Sequence, residues 1–207
     1  VVGMTTFSNA GREMGIDLHG AFFGGILNYD VAVFNGAGLN VKKDDNKSKD
    51  VVARLKVTPV KGLTISGSYY WGESGDEFYA RERFAVGAVY DSKHLIVRGE
   101  YIAGLTGSLI SEGAYVEAGK RFNLAENRGM IWAGGMVDYF CRNCFDYTKR
   151  DTKNAAVDMR YSICVGYTPV KYFRVQLAYS LEHRINHTFA TNRHFGNGIK
   201  LMATGLF

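Results

Sequence analysis

The chain has 207 residues, 46% hydrophobic and 14% aromatic, with 25 glycines, two prolines and a net charge of +5 from 25 basic and 20 acidic side chains. No apolar run approaches the roughly eighteen residues of a membrane-crossing helix, so a helical membrane protein is excluded; no basic run supports nucleic acid, although the pI is near 9.0. The mean hydropathy of -0.13 still permits insertion through strands, which hide their hydrophobicity by alternating it with a polar face.

Residues 1–10 are irregular. Met14, Ile16, Leu18, Gly20 and Phe22 then alternate with Gly15, Asp17, His19 and Ala21, the period of two of a strand, and Gly24-Gly25 suits a tight turn. The second strand sets Leu27, Tyr29, Val31 and Val33 against Asn28, Asp30, Ala32 and Phe34, with Phe34 the exception on a polar face. A long polar loop follows over 35–49, where both signs of charge mix. The third strand puts Val51, Ala53, Leu55 and Val57 outward and Val52, Arg54, Lys56 and Thr58 inward. After the turn Pro59-Val60-Lys61-Gly62, the fourth opposes Leu63, Ile65, Gly67, Tyr69 and Trp71 to Thr64, Ser66, Ser68 and Tyr70.

A loop to about Ala80 leads to Phe84, Val86, Ala88 and Tyr90 against Arg83, Ala85, Gly87 and Val89. After the short turn 91–94, Leu95, Val97, Gly99, Tyr101 and Ala103 alternate with Ile96, Arg98, Glu100 and Ile102. A loop is expected over 104–112. Ala114, Val116, Ala118 and Phe122 then oppose Tyr115, Glu117, Gly119 and Arg121, with Lys120 a misfit among the outward residues. The strand 130–140 alternates weakly, because Trp132 and Met136 share the face of Asp138. Loops are expected over 141–155 and 183–197, and the last strand sets Ile199, Leu201, Ala203, Gly205 and Phe207 against Gly198, Lys200, Met202, Thr204 and Leu206.

The hairpin between Val157 and Leu181 decides the class. Its arms separate Val157, Met159, Tyr161, Ile163, Val165 and Tyr167, and Phe173, Val175, Leu177, Tyr179 and Leu181, from polar partners around Pro169-Val170-Lys171-Tyr172. Strands of about ten to twelve residues exceed the five or six usual in soluble sheets and match the nine to eleven that cross a bilayer. Tyr167 and Phe173 bracket the turn where rings sit at a lipid boundary. The expectation is an all-β fold: a transmembrane antiparallel up-and-down β-barrel of about eleven strands, with 1–207 a single domain and the longer loops on the outer side. An odd count does not close the usual even-stranded barrel, so further strands are expected before Val1, where no export signal stands.

Alternation turns Arg54, Lys56, Arg83, Arg98, Arg121, Arg160, Arg174 and Lys200 inward, and these eight are the candidate pore-lining, anion-attracting residues. Asp17, Asp30, Glu100, Glu117, Asp138, Asp158 and Glu182 share their face, so a cross-strand lattice of ion pairs that stiffens the wall is the competing reading. Cys141 and Cys144 form a Cys-x-x-Cys expected in an exposed loop, as a small disulfide or as free thiols. His183, His187 and His194 lie together without a common face, so neither group is assigned a metal. No nucleophile elbow or convincing carboxylate pair suggests an enzyme, and no cofactor is expected. A non-conducting structural or anchoring barrel subunit of a larger complex is the alternative to a channel.

Arg12-Glu13-Met14-Gly15-Ile16-Asp17-Leu18, Leu27-Asn28-Tyr29 with Val33-Phe34-Asn35-Gly36-Ala37-Gly38, Ser68-Tyr69-Tyr70-Trp71-Gly72, Val137-Asp138-Tyr139-Phe140 and the terminal Phe207 together resemble the phosphate-selective porin O and P family of Bacteroidetes-type bacteria. The resemblance runs over nearly the whole chain. It implies an integral porin of the Gram-negative outer membrane, in contact with lipid: a sixteen-stranded homotrimeric channel through which small anions such as phosphate diffuse, with this chain supplying its C-terminal part. The motifs are strand and turn residues, and no individual phosphate ligand is carried over from them.

Overall fold

The computed structural model describes residues 14–36, 48–74, 79–125, 128–146, 148, 150, 155–186 and 193–205. They form one sheet of eleven antiparallel strands whose order in space is their order in sequence: β1 (Gly15–Phe22), β2 (Leu27–Phe34), β3 (Asp50–Val60), β4 (Leu63–Ser74), β5 (Tyr79–Asp91), β6 (Leu95–Thr106), β7 (Leu109–Asn123), β8 (Met130–Asp146), β9 (Ala156–Val170), β10 (Phe173–Asn186) and β11 (Arg193–Gly205). β1 and β11 are the two edges and do not pair with each other, so these strands form an open sheet and not the closed barrel that alternation alone suggests.

The register carries the two-faced pattern from strand to strand. Leu27, Val57, Ile65, Ala88, Gly99, Val116, Val137, Tyr161 and Leu181 stand opposite one another in one unbroken row from β2 to β10. The neighbouring row of the other face is polar: Asn28, Lys56, Ser66, Gly87, Glu100, Tyr115, Asp138, Arg160 and Glu182. A one-residue slip anywhere would move a whole strand's apolar set to the wrong side, so rows this consistent fix the pairing. The apolar face has no layer packed on it. Ile163 is 65% exposed, Leu201 71% and Ile199 76%, and the buried apolar residues among those described are Ala32, Phe140, Cys141 and Ala155.

The weak alternation of β8 resolves cleanly. Trp132, Met136 and Asp138 take the polar face, and Ile131, Ala133, Gly135 and Val137 the apolar one, as their partners on β7 and β9 show. Phe34 keeps its polar-face position because Gly15 opposite leaves room: a Cβ there would collide with the Phe34 ring.

The connections alternate between two ends. At one end lie the 3-10 turn Phe23–Gly25, where φ is positive at Phe23, Gly24 and Gly25, Lys61-Gly62, 92–94, 124–125 with 128–129, and Lys171-Tyr172. The segments leading to 37–47, 75–78, 151–154 and 187–192 lie at the other end, where those stretches fall outside the described residues. Three expected loops are largely strand. Residues 104–112 are the ends of β6 and β7 around a two-residue turn at Gly107, whose φ is 59°. β8 runs on to Asp146, and β10 and β11 take in much of 183–197.

Candidate functional site

All eight bases singled out by alternation, Arg54, Lys56, Arg83, Arg98, Arg121, Arg160, Arg174 and Lys200, stand on the polar face of the sheet. Half of them meet an acid on another strand. Arg54 Nε donates to Asp30 at 2.9 Å, Arg98 to Glu117 at 2.6 Å, Arg121 to Asp91 at 2.7 Å and Arg160 to Glu182 at 2.8 Å. Arg184, in a stretch expected as loop, joins the lattice through Asp158 at 2.5 Å. Arg54, Arg98, Arg160 and Arg184 pair across neighbouring strands and Arg121 reaches past β6 to the end of β5, so the charges cancel locally and the geometry helps to hold the register.

The other four are held differently. Arg83 donates to the carbonyls of Glu82 and Leu105 and to the hydroxyl of Thr106. Lys56, Arg174 and Lys200 form no ion pair or hydrogen bond among the described residues, so their positive charges are uncompensated on this face. Uncompensated cations on a wall lower the energy of an anion beside it within about 8 Å, the screening length at physiological salt.

Sequence reasoning missed one cluster. Asp50, at the start of β3, is fully buried; Tyr70 on β4 donates its hydroxyl to it, and Arg81 on β5 reaches it at 2.6 Å and also donates to the Tyr70 oxygen at 2.8 Å through Nε. The carboxylate fits because Gly36 and Gly72 stand where any Cβ would strike it. The signal was there in two glycines flanking the loop and the next strand, but their convergence on Asp50 is a matter of tertiary structure.

Two features of the apolar face bound it. Glu82 and Glu112 stand on it towards one end, accepting hydrogen bonds from the Tyr69 hydroxyl at 2.6 Å and the Tyr101 hydroxyl at 2.8 Å. Lys120 stands on it near the tight-turn end, paired with Leu95 and Ala133 and with its ammonium 5.3 Å from the centre of the Phe122 ring. The misfit of the alternation is thus a rim residue that shares the boundary with an aromatic ring.

The Cys-x-x-Cys is not in a loop. Cys141 is buried in β8 and Cys144 lies three residues further, beyond the end of the apolar belt; both are free thiols, and the Cys144 thiol donates to the Cys141 carbonyl at 3.1 Å. Burial, and then the neighbouring Cys141 thiol, pushes the Cys144 thiol up to about 12, which keeps it protonated at neutral pH and a poor nucleophile. His183 stacks on Phe195 at 4.4 Å, and His187 lies outside the described residues. Among the described residues no three His, Cys, Asp or Glu side chains gather as metal ligands.

No protein-family model and no curated protein matches the chain. The class of protein therefore rests on the fold: an antiparallel meander of eleven strands in one sheet, apolar on one face and charged on the other.

Proposed function

We propose that this chain forms the wall of an outer-membrane porin of a Gram-negative bacterium, a transmembrane β-barrel with its apolar face against lipid and its polar face around a water-filled pore for small anions such as phosphate. One observation carries the reading: a single-layer sheet whose whole apolar face is uncovered. A soluble monomer tolerates exposed apolar patches of only a few hundred Å², whereas eleven adjoining strands here present rows of Ile, Leu, Val and Tyr. The belt has the height of a membrane. Glu112 and Lys120, which bound it on β7, are about 27 Å apart along an extended strand, or about 21 Å in height at the ~40° tilt of barrel strands, near the roughly 25 Å apolar band of outer-membrane barrels.

The resemblance to the phosphate-selective porins O and P supports anions as the solute and a homotrimer as the assembly. The polar face supports a modest preference, because four of the eight bases are neutralised by cross-strand acids and Lys56, Arg174 and Lys200 are not. The ion-pair lattice also favours a second reading, a non-conducting barrel that anchors a larger complex, since stiffening the wall needs no open lumen. Phosphate titrated against the chloride current of the full-length protein in a planar bilayer tests the function. A specific site blocks chloride saturably at low phosphate; a merely basic pore shows no saturation, and an anchor carries no current to block.

A further inference from the structure

Trp132 stands on the polar face of β8, between Arg121 on β7 and Gly166 on β9. Its indole lies flat on the sheet. A Cβ on Gly119 of β7 would sit 3.6 Å from its Cε3, one on Gly134 of β8 3.3 Å from its Cζ3, and one on Gly166 2.7 Å from its Cδ1 and 3.0 Å from its Cε2. Both edges of the indole therefore rest on glycines spread over three adjacent strands, which only a ring parallel to the sheet achieves. Glycine weakens a strand interior and marks a close approach, and here the approaching group is the ring. Its other face borders a depression of about 270 Å³, rimmed by Arg98, Glu117, Arg121, Arg174 and Gln176.

That rim holds donors and acceptors together. Arg98 is paired with Glu117 and Arg121 with Asp91, while Arg174 has no acid among the described residues. The indole N–H lies buried against Gly166, so what a solute meets in the depression is the ring face and the Arg174 guanidinium. We infer that Trp132 is a stacking platform for a sugar ring bearing a carboxylate, with Arg174 taking the carboxylate. A pyranose offers an apolar C–H face to the indole and hydroxyls around its equator that use both the donors and the acceptors of the rim. An aromatic acid leaves the acceptors idle, and inorganic phosphate has no face for the ring. The inference deepens the channel reading, on which it rests for the polar face being the wall of a wet lumen, and adds acidic saccharides to its solutes.

The chain's other tryptophan, Trp71, stands on the apolar face, so in the full-length protein with Trp71 and any tryptophan outside this chain replaced by phenylalanine the emission reports Trp132 alone. Titration with trigalacturonate gives a saturable emission change, weakened about tenfold or more by Arg174→Gln, the scale of one charge-assisted hydrogen bond. Neutral maltotriose binds more weakly than trigalacturonate. Flat emission from folded protein, unchanged affinity in Arg174→Gln, or equal saturation by benzoate or maltotriose overturns the assignment. Conductance of the same preparation separates the two readings: current with flat emission removes the sugar site and keeps the channel, and saturation without current keeps the site and removes the channel.

Discussion

Lys56 and Arg98 occupy the same face and carry the same charge, yet in the proposed pore they act differently on an ion. Arg98 is matched by Glu117, so replacing both by glutamine removes a dipole and no net charge; Lys56 forms no ion pair among the described residues, so Lys56→Gln removes a whole positive charge from the wall. The expected outcome in bilayer recordings is a lowered chloride-over-potassium preference for Lys56→Gln and an unchanged one for Arg98→Gln with Glu117→Gln. Equal shifts would mean that pairing does not silence the lattice. Asp50 is the most deeply buried charged side chain among the described residues. Its carboxylate is buried against Arg81 and Tyr70, and Asp50→Ala leaves the Arg81 charge without its acid, at a cost of about 3 to 5 kcal/mol, the scale for breaking a buried pair. A urea unfolding midpoint close to that of the parent protein contradicts this account.

The hairpin of β9 and β10 shows how side-chain facing becomes insertion. Leu177 pairs with Val165 and Leu201 on the apolar face, and Gln176 next to it with Gly166 and Met202 on the other. In lipid bilayers Leu177→Arg is expected to lower folding yield sharply while Gln176→Arg changes it little, because an arginine at mid-depth on the lipid face costs about 2 to 4 kcal/mol. Equal yields would remove the distinction between the faces. The same pair explains what was legible in the sequence. Within the belt every second residue is forced to be apolar, so strands β1 to β4 and the hairpin could be read residue by residue. Beyond the belt that rule lapses: Glu112, Arg142, Asn143, His183 and Arg184 read as loop, although the strands continue through them. The inward bases were legible for the same reason as the faces. Their partners depend on which strands lie close in the sheet, as for Arg121 and Asp91, thirty positions and one intervening strand apart, and the bed of Gly119, Gly134 and Gly166 under Trp132 gathers from three strands.

At the scale of the molecule, β1 and β11 each leave one side of their backbone unpaired among the described residues, and unpaired strand edges are not tolerated in a hydrocarbon interior. In the proposed membrane setting both edges are covered by further strands, which closes the barrel around the polar face. Orientation follows from the two ends of the sheet: cysteines introduced by Lys43→Cys or Asn192→Cys, in stretches outside the described residues, are expected to react with an impermeant maleimide on intact cells, and Lys61→Cys, in the turn between β3 and β4, is not. Labelling of position 61 alone would invert the topology. The central claim is that the polar face surrounds a conducting pore that favours anions, and the reversal potential of the complete protein in a planar bilayer under a potassium chloride gradient tests it most directly. The account predicts ionic current with a reversal potential displaced modestly towards that of chloride; a folded, inserted barrel that carries no current, or one that reverses towards potassium, contradicts it.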